Sequence, residues 1–118
     1  MAVTLWHNPR CSKSRAALTL LEQAGQVVDV RLYLQDVPTV TELMEVQQKL
    51  GCPAADMVRW KDVRQAKAGG QDALDHGSDA VTIFSALAAQ PKWIERPIGL
   101  TQTAARIGRP PEAILEIL

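Results

Sequence analysis

The sequence has few cysteines, no excess of charge of either sign and no long apolar run. Cys11 and Cys52 are too few for a disulfide framework, and too few for a zinc site of their own. In a reducing compartment each is a free thiol, and the question becomes which of them is reactive. Thirteen Lys and Arg balance thirteen Asp and Glu to a formal net charge of zero. That speaks against a general nucleic-acid or membrane-surface binder, which carries a basic excess. No apolar stretch approaches the roughly 18 residues needed to span a bilayer. The opening residues Met1 to Pro9 show no basic start followed by an apolar stretch, so no signal peptide is read there and a cytoplasmic protein is expected.

What is present is ordinary for a soluble globular chain. The 118 residues give room for one domain and one core, so residues 1–118 are read as a single domain. Apolar residues at 47 % and charged residues at 22 % match average usage, and nothing reads as disordered or repetitive. Eight of the thirteen cations are arginine, a bias that matters for anion binding.

Val3 to Trp6 reads as a short strand that ends at His7-Asn8-Pro9, where the proline disfavours continuation. From Ser12 the spacing turns helical, with Ala17, Leu18, Leu21 and Ala24 on one face and Gly25 as the stop. Val27 to Leu34, rich in β-branched residues, predicts a second strand. The opening is therefore β-loop-α-β, the unit that makes a parallel strand pair. Thr39-Val40-Thr41-Glu42 has capping-box spacing and starts a helix over Leu43, Val46 and Leu50, stopped by Gly51.

A short helical stretch follows from Pro53 to about Val63, and Gln65 to Gly77 reads as loop. Ser78-Asp79 caps a further amphipathic helix through Val81, Phe84, Leu87 and Ala88, ending before Pro91. Ile94 to Thr101 and Ala104 to Ile107 read as two strands, and Pro111 to Leu118 as a closing helix. The order β-α-β, helices, β-β-α is that of the thioredoxin fold with a helical insertion.

Cys11 falls where the first strand gives way to the first helix, inside His7-Asn8-Pro9-Arg10-Cys11-Ser12-Lys13-Ser14-Arg15. A thiolate there meets unpaired backbone N–H groups and the positive end of the helix dipole. Arg10, Lys13 and Arg15 add positive charge within a turn. These groups favour the charged form, lower the thiol pKa and make the sulfur a nucleophile at neutral pH. The same N–H groups can cradle a tetrahedral oxyanion beside it. A free cysteine is by default a small buried hydrophobe, but polar and cationic flanks do not suit a core position. Cys52, in Leu50-Gly51-Cys52-Pro53, has no such flanks and is read as structural.

Ser14 stands where a Cys-x-x-Cys motif would have its second sulfur. The motif allows a self-contained dithiol–disulfide cycle, whereas Cys11-Ser12-Lys13-Ser14 does not. Unless Cys52 folds close by, an adducted Cys11 needs an outside thiol, and glutathione is the economical choice.

His7-Asn8-Pro9-x-Cys11 with Ser14-Arg15 after it resembles the active-site loop of the glutaredoxin-coupled, ArsC-type arsenate reductases. Glu95-Arg96-Pro97-Ile98 and Arg106-Ile107-Gly108-Arg109-Pro110-Pro111-Glu112 resemble that family's two later signatures, so the likeness spans essentially the whole chain. The resemblance implies a thioredoxin-like (glutaredoxin-like) α/β fold, a mixed four-stranded sheet with flanking helices and a helical insertion. It implies a thiol-arsenate adduct on Cys11, attacked by glutathione and recycled by glutaredoxin as arsenite leaves, with no bound cofactor or metal. Arg59, Arg96 and Arg109 would hold the oxyanion. His7 and Ser14 would tune the thiol, Asn8 and Arg15 would support the loop, and Pro97 would be the cis-proline opposite the active cysteine. Forked guanidinium donors fit a tetrahedral oxyanion better than an ammonium does.

Arg31 and Arg64 fall in no motif and read as surface charges, the usual state of a lone arginine. Residues 67–80 do not resemble the family, and Trp60 stands where a polar residue is expected. Two rival functions share this fold. One is a glutathione-dependent thiol oxidoreductase acting on another substrate through the same Cys11. The other is a non-enzymatic Spx-type regulator that binds RNA polymerase; such proteins carry a Cys-x-x-Cys switch, which Ser14 removes here.

Overall fold

A computed structural model describes residues 2–71 and 74–118. It divides into two compact units, one made of Met1–Asp36 with Arg96–Leu118 and the other of Val37–Glu95.

In the first unit the described residues form a four-stranded sheet in the order β2-β1-β3-β4. β1 (Val3–Trp6) runs parallel to β2 (Val28–Arg31) and antiparallel to β3 (Ile98–Leu100), which pairs antiparallel with β4 (Ala105–Ile107). This is the mixed sheet expected of the thioredoxin-like fold. The crossover helix α1 (Ser12–Gln23) and a closing 3₁₀ helix (Pro111–Ile117) pack together. Their Ala17, Leu21, Ile114 and Ile117 meet Val3 and Leu5 of β1 in one buried cluster. Gly99 in the middle of β3 leaves the space these side chains use, because a Cβ there would lie 2.5 Å from Ile114 Cδ1 and 3.0 Å from Ile117 Cδ1.

β2 stops at Arg31, shorter than the expected run to Leu34. A strand lasts only as long as its partner's hydrogen bonds, and β1 ends at Trp6, opposite Arg31. One further bond, from the His7 N–H to the Arg31 carbonyl, closes the ladder. The chain then turns, with the N–H groups of Gln35 and Asp36 both donating to the Leu32 carbonyl. Tyr33 is buried in this turn while Leu32 and Leu34 stay partly exposed. Arg31, expected at the surface, lies over the Trp6 ring with its guanidinium 5.4 Å from the ring centre and pairs with Asp36 at 3.3 Å.

The second unit is helical. α2 (Val40–Leu50) starts at Thr39, whose side chain and that of Glu42 make both capping-box bonds, and ends at Gly51 in the left-handed region. The expected single stretch over residues 53–63 is instead a 3₁₀ turn (Ala54–Met57) followed by α3 (Trp60–Ala68). Between them Val58 forms a bridge with Ile94, the Glu95 N–H donates to the Met57 carbonyl and the Arg59 N–H to the Trp93 carbonyl. Those long-range bonds take the backbone groups a continuous helix would need. They also keep Ile94 out of the strand it was expected to start.

α3 takes the first part of the segment read as loop and ends at Gly69-Gly70, where Gly70 has φ +83°. Residues 72 and 73 of that segment lie outside the described residues. α4 (Ala80–Ala89) is capped by Asp79, whose side chain accepts from the Thr82 N–H. Its buried face is Ile83, Phe84 and Leu87, and Val81 is exposed. At ~100° per residue Val81 lies far around the axis from Ile83.

Candidate active site

The first strand-to-helix junction is built by its own backbone. Pro9 ends the extended run. The Asn8 carbonyl accepts from the Cys11 N–H at 3.0 Å, and the Asn8 side chain accepts from the Arg10 N–H at 3.0 Å. The loop therefore turns tightly and delivers Cys11 as the N-cap of α1, with extended φ −94° and ψ 121°. The first-turn N–H groups have no partner within the helix, and the sulfur is placed to take them. Cys11 is half-buried.

Burial pushes the Cys11 thiol up. The Ser14 N–H, the Arg96 guanidinium and the Lys13 N–H outweigh it and hold the pKa below that of an ordinary cysteine. The helix-end activation expected from the sequence is present, but the cation acting on the sulfur comes from a distant segment. Of the loop's own cations, Arg15 donates to the Pro9 carbonyl at 2.8 Å and so ties the loop to α1. Lys13 acts on the sulfur through its backbone.

Two arginines far along the chain meet the sulfur. Arg109 Nη2 lies 3.8 Å from Cys11 Sγ, and its Nε donates to the Arg96 carbonyl at 2.8 Å. One guanidinium thus ties the Arg96 backbone to the thiol. Both the Arg96-Pro97 and the Arg109-Pro110 bonds are cis, the first as expected and the second not. Gly108 lets the two segments approach: its N–H donates to the Pro97 carbonyl at 2.8 Å, and a Cβ on it would lie 2.8 Å from Pro97 Cγ.

His7 and Ser14 are buried beside the thiol loop and hydrogen-bonded to each other, Nδ1 to Oγ, at 2.6 Å. Ser14 Oγ also accepts from the Asn8 N–H at 3.0 Å. Burial first, then the Arg15 charge, hold the His7 imidazole below its ordinary pKa, so the ring is neutral at pH 7. Ser14 therefore locks loop to helix, and at this position a second cysteine would give up both bonds. Ser14 was expected beside His7 as a group that tunes the thiol; its bonds also give it this buried structural role, which the sequence did not show.

Arg59 belongs to the second unit. It is the N-cap of α3 and approaches Asp62 at 3.6 Å and Glu95 at 3.8 Å. Its engagement with two carboxylates was not expected. Trp60, beside it, stacks on His76 with ring centres 3.8 Å apart and donates to the Ala55 carbonyl. The Cys52 thiol is pushed up by burial and by the Asp56 charge, consistent with a structural cysteine.

A cleft of about 390 Å³ borders the thiol loop, with residues 7–10 on one side and Leu32, Leu34 and Gln35 on the other. Sequence reasoning missed it, because the second wall exists only where β2 breaks into a turn. No helix among the described residues is long and apolar enough to cross a membrane.

The chain can thus present a sulfur of lowered pKa, two forked guanidinium donors and helix-end N–H groups to one tetrahedral anion. It is 43 % identical, over the full length of both, to an arsenate reductase of Haemophilus influenzae. It is 42 % identical to an arsenate reductase of Neisseria meningitidis, with 98 % of this chain and 97 % of the relative covered. Among solved structures it superposes on an arsenate reductase from Vibrio cholerae with a TM-score of 0.88 and 42 % identity, covering 100 % of this chain and 98 % of the other. The sequence model of the ArsC family matches residues 6–117, and the chain belongs to that family.

Proposed function

We propose that this protein reduces arsenate to arsenite through a Cys11 adduct resolved by glutathione and glutaredoxin. One observation carries the reading: a thiol at the mouth of α1, held below its ordinary pKa, with Arg109 Nη2 at 3.8 Å and the Arg96 guanidinium acting on the same sulfur. Relatives bearing the name arsenate reductase across the full chain length support the substrate.

The Cys11 thiolate attacks arsenic, an S–As bond forms and one As–O bond breaks, its oxygen leaving as water after protonation. Arg96, Arg109 and the N–H groups of Lys13 and Ser14 stabilise the extra negative charge, where preorganised donors are most effective. A third anion ligand, Arg59, rests on the family resemblance alone; in this structure it pairs with Asp62 and Glu95. A glutathione thiolate then attacks the adduct sulfur. An S–S bond forms, the S–As bond breaks, and its electron pair stays on arsenic, which departs as As(III). Glutaredoxin supplies the thiol that removes glutathione and returns Cys11 as thiolate. The balance is two thiols oxidised to one disulfide and one arsenate reduced by two electrons.

Ser14, buried and twice hydrogen-bonded, is why the resolving thiol comes from outside. The test is NADPH consumption with arsenate, the purified protein and two reducing systems: glutathione, glutaredoxin and glutathione reductase, or thioredoxin with its reductase. Turnover with the first and not the second is expected. Turnover with thioredoxin alone would overturn the glutathione step, and no turnover with either would overturn arsenate as substrate.

A further inference from the structure

β2 is an open edge of the sheet. In the order β2-β1-β3-β4 it has β1 on one side and, among the described residues, no strand on the other. The opposite edge, β4, is three residues long and carries exposed Arg106, and short, charged edges resist pairing. β2 has neither Lys nor Pro, and its Val30 is 41 % exposed. We infer that β2 joins the same strand of a second copy of this chain, antiparallel about a two-fold axis at Val30, so that two sheets become one.

The backbone fixes the phase of that pairing. Arg31 stands opposite Trp6 in the parallel register, and its carbonyl accepts from the His7 N–H. Arg31 and Asp29 therefore turn their backbone groups to β1, and the alternation along a strand turns those of Val28 and Val30 to the open side. Only registers that pair through Val28 and Val30 can form a ladder. A two-fold axis then passes at Val28, Asp29, Val30 or Arg31.

The side chains choose among these four. An axis at Asp29 sets Asp29 against itself, and one at Arg31 sets Arg31 against itself; like charges directly opposite are destabilising. An axis at Val28 leaves most of β2 beyond the ladder. An axis at Val30 sets Asp29 against Arg31 of the second copy, twice by symmetry, and Val28 against Leu32. The Val30 pair exchanges both backbone bonds. The Asp29–Arg31 pairs flank it at non-hydrogen-bonded positions, where Cα atoms are ~4.5 Å apart and side chains are closest.

Backbone phase and charge order are separate observations, and both select this register. Arg31 need not leave Asp36, which it meets at 3.3 Å, because a guanidinium has donors for a second carboxylate. Val30 and Leu32, the latter 37 % exposed, gain apolar cover on the other face. The contact is isologous, so it closes at two copies. A ladder this short buries less than a standard interface, which makes the dimer weak and concentration-dependent.

The test is sedimentation velocity at low salt from about 10 μM to about 1 mM, the span of weak dissociation constants. The mass is expected to move from 12.9 kDa toward twice that value; a monomer throughout would overturn the inference. NMR of a half-labelled sample reads the register. An intermolecular contact between the α-protons of Asp29 and Arg31 is expected, and association in another register or through another surface would overturn it. Asp29→Lys opposes two cations and should weaken association by roughly tenfold or more, with an unchanged circular dichroism spectrum. Dimerisation of wild-type strength in this variant would count against the pairing. Val30→Pro removes an N–H that faces the open side, a change edge strands tolerate, and should leave only monomer. If that variant fails to fold, Asp29→Lys decides.

Discussion

The pKa of a sulfur at a helix N-cap is lowered here by groups from both ends of the chain. The Ser14 and Lys13 N–H groups are local, and Arg96 comes from the far side of the sequence. Its alkylation should therefore persist below the pH at which ordinary cysteines lose reactivity. Arg96→Ala should move that profile upward, and a profile unchanged in the variant would assign the shift to the helix end alone. Arg96→Lys keeps the charge but loses the fork, and one lost charge-assisted bond of about 1.5–3 kcal/mol corresponds to roughly ten- to a hundred-fold in kcat/KM for arsenate.

Cys11→Ser should abolish reduction while the circular dichroism spectrum stays unchanged, because a serine hydroxyl is a far poorer nucleophile at neutral pH. The same substitution should reveal itself in stability. A thiol whose folded pKa is depressed adds stability that is complete above the unfolded pKa and lost as pH falls through the folded value. Urea unfolding of wild type and Cys11→Ser should therefore diverge as pH rises across that window. His7 titrates with the same sign in a lower pH range, here because the neutral form is the one the fold favours. Its folded pKa is lowered, so below about 6.5 the unfolded chain takes the proton first and the fold weakens. A His7→Gln variant should lose less stability on acidification than wild type, read by thermal melts at pH 7 and 5.

The elements were legible where local chemistry decides them. Thr39 with Glu42 and Gly51 fixed both ends of α2, and Asp79 fixed the start of α4. They were misread where a partner elsewhere in the chain decides. β2 looked longer because Val27 to Leu34 has strand composition throughout, yet β1 offers it four paired residues. The helix expected from Pro53 broke because Ile94 and Glu95 claim the backbone around Val58.

Gly108 is the element-scale feature with the sharpest consequence for the site. A methyl group there meets the Pro97 ring at 2.8 Å and Ala17 Cβ at 3.5 Å, and a ring gives way less easily than a flexible side-chain end. Gly108→Ala should cost about 1–3 kcal/mol of stability. It should also raise the Cys11 pKa by displacing the segment that carries Arg96. Retained stability with an unmoved thiol titration would contradict the close approach.

For the whole molecule, the balance of thirteen cations against thirteen anions leaves no long-range field, with a sequence pI near 6.7. Charge repulsion between copies is then weakest near neutrality. Solubility at low salt should pass through a minimum near pH 7 and recover on either side, measured by light scattering across pH; a flat profile would count against this. The arginines therefore act by being gathered at one point, since the net charge attracts no anion.

The sequence by itself determined the type and order of most elements, the place of Cys11 at a helix mouth and the cationic, proline-marked segments that return to it. These follow from spacing and capping, which act over a few residues. The tertiary structure decided which cations serve the sulfur, because Arg96 and Arg109 reach it only after β3 and β4 join the sheet. It also turned Ser14 into a buried lock, moved Arg31 onto Trp6 and opened the cleft after β2. Each of those depends on contacts between residues distant in the chain, and local periodicity carries no record of such partners.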